Sequence, residues 1–294
     1  MTLTREKVGM ELARQAASGQ ITERDDALLE YLSGLEALTL DQARRLLWPE
    51  TSPVVVYQRL GRLARHHLLQ RVEAPPELQR WGLTAGPVYE MGPGGQLWRQ
   101  PRATLNWGQR LTLAQRGRRL LAAEVVTRLL AAVRWRADLL QLSWISPAEL
   151  RASTPRGVRK IPPADGLTRF AGGSFTPPAI LWHLGALSVN VAATPRWAEI
   201  IKEYDYLPRE KWQQHRAFAG LATFPLVAII APDVPQRAAL LELFQAKQRG
   251  RFITCLATWP DILAASNLLT APIWTTWRRG NLAQGQSLAA IGDE

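Results

Sequence analysis

Residues 53–67 hold the densest set of side chains able to read a nucleic acid. On a helical wheel of 100° per residue, Val56, Leu60, Leu63 and His67 share one side, and Val55, Gln58, Arg59, Arg62, Arg65 and His66 share the opposite arc. A recognition helix buries one side against its partner helices and presents donors to the major groove on the other. Glutamine pairs with an adenine edge, and arginine pairs with a guanine edge or a phosphate. Ser52 stands before Pro53, the N-cap and first-turn pair that opens a helix, and is counted with the DNA-binding candidates. Arg71 and Arg80 flank the expected wing and would meet the sugar-phosphate backbone or the minor groove. A solvated charged face is the plainer explanation of such an arc. The capped helix before it and the hairpin after it favour contact with double-stranded DNA. A winged helix used only for protein contacts is the alternative.

Three helices and a hairpin must position that arc. Residues 24–35 carry an apolar stripe (Ala27, Leu28, Tyr31, Leu32, Leu35), and Thr39 caps a second helix stopped by Pro49. Strands follow at Leu68 to Glu73 and Pro87 to Met91, and Gly92-Pro93-Gly94-Gly95 reads as the turn that closes them. That order predicts a winged helix-turn-helix over residues 23–100, behind a leader of residues 1–22. Residues 101–142 are expected as a connecting helix. From residue 143 short apolar runs (179–184, 186–191, 226–231, 251–256) alternate with helical segments (195–206, 234–248, 259–269). This predicts a second domain of the α/β class over residues 143–280, making the chain α+β overall, with a tail over 281–294.

Charge supports a polyanionic partner. The 294 residues carry a net charge of +11, and residues 1–160 hold 24 Lys and Arg against 15 Asp and Glu. The chain has 47% hydrophobic and 21% charged residues, the balance of a folded protein. The single Cys255 excludes an internal disulfide and is expected as a buried small hydrophobe. His66, His67, His183 and His215 show no metal-ligand spacing with it, so neither metal nor cofactor is expected. There is no P-loop and no Gly-x-Ser-x-Gly. Trp182, Trp197, Trp212, Trp259, Trp274 and Trp277 are expected in the core or at an interface, with Trp277-Arg278-Arg279 a weak candidate for base stacking. The start leads into no apolar signal segment and no run reaches membrane-spanning length, so a cytoplasmic protein without membrane association is expected.

Several stretches together resemble the replication-relaxation family of plasmids and other mobile elements. They are Leu28 to Val72 around Gln58-Arg59-Leu60-Gly61-Arg62-Leu63-Ala64, then Val88 to Gly95, Leu120 to Val133, Trp144-Ile145-Ser146 with Glu149-Leu150-Arg151, and Pro162-Pro163-Ala164-Asp165-Gly166. Phe224 to Ile230 and Pro272-Ile273-Trp274 complete the resemblance, which spans residues 25–279. It implies a winged helix followed by a restriction-endonuclease-like core. In such cores an Asp, an acidic strand residue and a Lys hold a divalent metal and activate water against a phosphodiester. Asp165 falls on the Asp position and Lys202 on the Lys-bearing helix. The acidic position fails, because the strand expected there, Leu187 to Ala192, offers Ser188 and Asn190, and Ser146-Pro147 stands where a Glu is usual.

The resemblance therefore implies a non-enzymatic pseudo-nuclease in which Asp165 and Lys202 are vestigial. It would bind DNA sequence-specifically for replication, mobilisation or transcriptional control of a mobile element. A metal-dependent nuclease with a relocated acidic residue, from Glu199 or Glu203, is one alternative. An adaptor docking replication, mobilisation or transposition proteins is another, and a homodimer is compatible with all three.

Overall fold

A computed structural model describes residues 21–83, 86–99, 111–134, 141–171, 179–184, 195–209, 212–250, 252–278 and 280–291. The chain mixes helices with two sheets, so it is α/β in the α+β sense. It divides into two units, the first ending at Thr127 and the second beginning at Arg128.

The first unit runs α1 (Glu23–Leu35), β1 (Ala37–Thr39), α2 (Leu40–Leu47), α3 (Pro53–Arg65), β2 (Leu69–Val72), β3 (Val88–Met91), α4 (Pro93–Arg99) and the start of α5 (Leu113–Val133). Helix, strand, two helices and two strands is the order of a winged helix-turn-helix. Its sheet is antiparallel in the order β1-β3-β2. The short β1 had no signature in the sequence beyond its capping Thr39. Thr22 and Thr39 cap α1 and α2 through full capping boxes with Asp25 and Gln42. Ser52 caps α3, with Pro53 in its first turn. Leu28, Leu29, Leu32, Leu35, Leu46, Val56, Leu60 and Leu63 are all buried and join the three helices into one core.

Two expectations are corrected here. Gly92-Pro93-Gly94-Gly95 is no turn; it leads into α4. The glycines are there for close approach, since a Cβ on Gly92 would lie 2.8 Å from the Leu69 carbonyl and against the His67 carbonyl oxygen. The segment between the wing strands is a packed insert with a single helical turn, Pro76–Leu78, and buried Leu78 and Leu83. Of the expected connecting helix over 101–142, α5 covers Leu113–Val133, and its part up to Thr127 belongs to the first unit; residues 141–142 instead begin a strand, and residues 101–110 and 135–140 lie outside the described residues. Glu124 of α5 accepts hydrogen bonds from Gln42 (3.1 Å) and Arg45 (3.0 Å) of α2, and Arg116 donates to Glu90 of β3 at 2.6 Å.

The second unit is built on a seven-stranded mixed sheet in the order β10-β9-β8-β7-β6-β5-β4. Its strands are β4 (Gln141–Ile145), β5 (Gly166–Ala171), β6 (Ala179–His183), β7 (Leu226–Ala231), β8 (Thr254–Thr258), β9 (Trp274–Arg278) and β10 (Asn281–Gln286). The three central strands are parallel and buried on both faces, which is why they read as unbroken apolar runs. Antiparallel pairs flank them on both sides. Helices α6 (Pro147–Ala152), α7 (Pro195–Tyr206), α8 (Val234–Lys247) and α9 (Trp259–Ala264) complete the unit.

The expected tail over 281–294 is instead the outermost strand, followed by buried Leu288 and Ile291. That strand slips register between Ala283 and Gln286, where Gly285 takes a positive φ of 64°. The expected strand at 186–191 and the leader at 1–20 lie outside the described residues.

Gly92→Ala should destabilise the first unit by about 2–3 kcal/mol, because the new methyl meets backbone that cannot rotate away. Denaturant unfolding followed by far-UV circular dichroism would measure it, and an unchanged midpoint would refute the close-approach reading.

Candidate nucleic-acid interface

The exposed side of α3 starts from its burial pattern. With Val56, Leu60 and Leu63 turned inward, Val54, Gln58, Gly61 and Arg65 fall on one outward stripe at i, i+4, i+7 and i+11. Val55 and Arg62 flank it on one side and Tyr57 on the other. Gln58, Arg62 and Arg65 are exposed, and Val55 is 53% exposed. Ser52 is exposed too, but its side chain is occupied in capping, accepting from the Val55 N–H. His66 forms the C-cap of α3 and is half-buried. Arg71 lies exposed on β2, 3.4 Å from the Tyr57 hydroxyl, to which it donates. Arg80 is exposed on the insert. Arg62, Arg65 and Arg80 form no salt bridge with any described residue.

Arg59 departs from this arc. Its Nε donates to Asp25 Oδ1 at 2.9 Å, and its guanidinium also bonds Oδ2. Asp25 is fully buried in α1 and takes two further hydrogen bonds from Thr22, each 2.7 Å. Burial alone would push the Asp25 carboxyl up, but the bonds from Arg59 and Thr22 outweigh it and hold the group below its ordinary range. Arg59 thus orients α3, where the sequence placed it among the DNA-reading residues. The sequence reading also missed Val54, Tyr57 and Gly61. The wheel that selected Gln58 and Arg65 places Val54 and Gly61 on the same stripe, with Tyr57 at its edge.

In the second unit Asp165 precedes β5 and bridges to the end of β6. Its N–H donates to the Trp182 carbonyl, and its Oδ2 accepts from the Leu184 N–H, both at 2.7 Å. The next residue must be small, because the Trp144 ring occupies the space of a Cβ at Gly166. Among the described residues the strand beside Asp165 is β6; the segment Leu187 to Ala192, expected there, lies outside the described residues. Its nearest counterpart is His183, buried among Trp197 and Tyr204 with ring centroids at 5.4 and 5.6 Å. His183 Nε2 and the Tyr204 hydroxyl share a hydrogen bond of 2.8 Å. Burial drives the imidazole down to about 4, against the upward pull of Asp165 and with Arg196 adding to the fall. The ring is therefore neutral at neutral pH.

Lys202 is not brought to Asp165. It sits exposed on α7, two residues before inward-facing Tyr204, and lines a surface cleft of about 440 Å³ with Glu199, Asp205, Tyr206, Lys247 and Arg249. Glu203 pairs with Arg159 at 3.0 Å. Among the described residues no group of three His, Cys, Asp or Glu side chains could hold a metal ion. Among the described residues the side chain that the Asp165 carboxylate meets most directly is that of neutral His183, not a second carboxylate. Trp182, Trp197, Trp259, Trp274 and Trp277 are buried, so Trp277 at 9% exposure offers no stacking platform. Cys255 is fully buried, and burial pushes its thiol up.

No family model, curated protein or solved structure matches the chain. Among the described residues no helix is long and apolar enough to cross a membrane.

Two outcomes follow. Arg59→Leu strands the buried Asp25 carboxylate and should cost about 3–5 kcal/mol, while Arg62→Ala and Arg65→Ala should stay within about 0.5 kcal/mol of the wild type in denaturant unfolding. Equal costs at the three positions would refute the distinction. The second concerns pH. An unfolded histidine takes its proton near 6.5, above the folded value, so stability is full above about pH 6.5 and lost as pH falls toward 4, by up to about 3 kcal/mol. Buried His215, also shifted down by burial, adds in the same direction. Thermal unfolding at pH 7 and pH 5 should show this fall, and His183→Gln should flatten it.

Proposed function

We propose that the chain is a sequence-specific binder of double-stranded DNA and that it binds through the winged helix of its first unit. The observation that carries the reading is the outward stripe of α3, where Gln58, Arg62 and Arg65 stand exposed beside Arg71 of the wing. A helix of 13 residues held by its inner face on two partner helices suits the major groove. The net charge of +11 suits the polyanion. On its resemblance to the replication-relaxation family, we place the protein in replication, mobilisation or transcriptional control of a mobile element, acting in the cytoplasm.

The second unit, in the same proposal, is a restriction-endonuclease-like scaffold that does not cut. Asp165 supports this by its position and by its surroundings. It stands at the mouth of β5, as the resemblance asks, and its neighbour on β6 is a neutral histidine tied to a tyrosine. A single carboxylate without a second one or a nearby lysine holds Mg²⁺ poorly.

Affinity for duplex DNA should fall steeply with salt, and each phosphate-bound arginine replaced by alanine should reduce the log–log slope by about 0.9. Fluorescence anisotropy of the full chain with Arg62→Ala, Arg65→Ala and Arg71→Ala variants measures this. A flat salt dependence would overturn the DNA reading. Incubation with Mg²⁺ or Mn²⁺ and supercoiled, linear or single-stranded DNA should yield no cleavage. Nicking abolished by Asp165→Ala would show the scaffold reading to be wrong.

A further inference from the structure

We propose that the first half of α3 reads thymine methyl groups, with Val54, Val55 and Tyr57 as the contact residues and Gly61 as the clearance that lets the helix seat. The inference rests on the duplex-DNA reading above and adds a class of base to it.

Val54 is 63% exposed, Val55 53% and Tyr57 42%. Folding gains nothing from leaving two valines and a tyrosine in water at three of four positions in the first turns of one helix, around buried Val56. A contiguous apolar patch of this kind marks a contact surface. What surrounds the patch selects the partner. The first turn of α3 carries no acidic residue, and Arg62, Arg65 and Arg71 border the patch. Exposed guanidinium groups beside an apolar patch complement a polyanion that displays apolar groups between its charges. Duplex DNA does so at one base: thymine alone carries a methyl group into the major groove. Gln58 lies one turn beyond Val54 on the same stripe, placed for the N6 and N7 atoms of an adenine. The N-terminal part of α3 therefore matches A·T steps, and its C-terminal arginines match phosphate or guanine.

Gly61 gives independent support. Glycine weakens a helix interior relative to alanine, and it is kept where backbone must approach something closely. Within the fold Gly61 approaches nothing, since a Cβ built there would meet no atom within 4 Å. The open space lies on the outward stripe between Gln58 and Arg65, where a bound duplex would lie.

The test uses the full chain. A site is first selected from a random duplex library at stated salt. Each thymine of that site is then replaced singly by deoxyuridine, which removes only the methyl group. Thymines under α3 should lose about fourfold in affinity on replacement, the worth of one buried methyl, and the others should lose nothing. The triple variant Val54→Ser, Val55→Ser, Tyr57→Ser should bind thymine and uracil sites alike and keep its salt-dependent binding to unrelated duplex.

Gly61→Gln fills open space and strengthens the helix, so it should unfold at or above the wild-type temperature while binding the selected site about tenfold more weakly. Tight specific binding that ignores uracil at every position would overturn the thymine inference and leave the DNA reading intact. Wild-type affinity in Gly61→Gln would overturn the clearance argument. A chain that binds no duplex at any salt would overturn both readings, and α3 would then be a protein-docking face.

Discussion

Beneath the N-terminus of α1 lies a carboxylate with no exposure to water, and the first unit is arranged around satisfying it. Asp25 serves as the third residue of the α1 capping box and as the partner of Arg59 on α3. One side chain thus fixes where α1 begins and how α3 is rotated about its own axis. A buried ion pair adds little net stability, because both charges must first leave water. Its effect is geometric. With Arg59 tied to α1, Val56, Leu60 and Leu63 are turned into the core, and Val54, Gln58 and Arg65 stand exposed on the opposite side. A rotation of α3 by one residue would expose leucines and strand the carboxylate together.

Much of this unit was legible in the sequence, for particular reasons. Thr39 and Ser52-Pro53 announce their helices because capping is local chemistry, decided within four residues. The role of Arg59 was not legible. It depends on a partner 34 residues away, and an arginine on a helix has the same appearance whether it meets phosphate or a buried aspartate. Gly92-Pro93-Gly94-Gly95 misled for a related reason. Glycine and proline mark turns statistically, but here the glycines answer the carbonyls of His67 and Leu68, a contact between segments.

The second unit shows the same division. Its central strands were visible as apolar runs because they are covered on both faces. The strands of the antiparallel flanks were missed, since β10 is largely exposed and β4 is mixed in character. Asp165 was found, and its setting was not. The pairing of β5 with β6 puts a histidine beside it, and the bond from that histidine to Tyr204 joins β6 to α7. A carboxylate that accepts a strand N–H and a neutral imidazole that binds a phenol are both well placed to hold a sheet together.

The slipped register in β10 has a consequence for how the protein behaves in a crowded solution. An outermost strand offers a row of unpaired N–H and carbonyl groups, on which an unrelated extended chain can add itself. The irregularity between Ala283 and Gln286, where Gly285 takes its positive φ, interrupts that row. At this edge of the sheet the strand is therefore a poorer template for an added chain than an unbroken one of the same length would be.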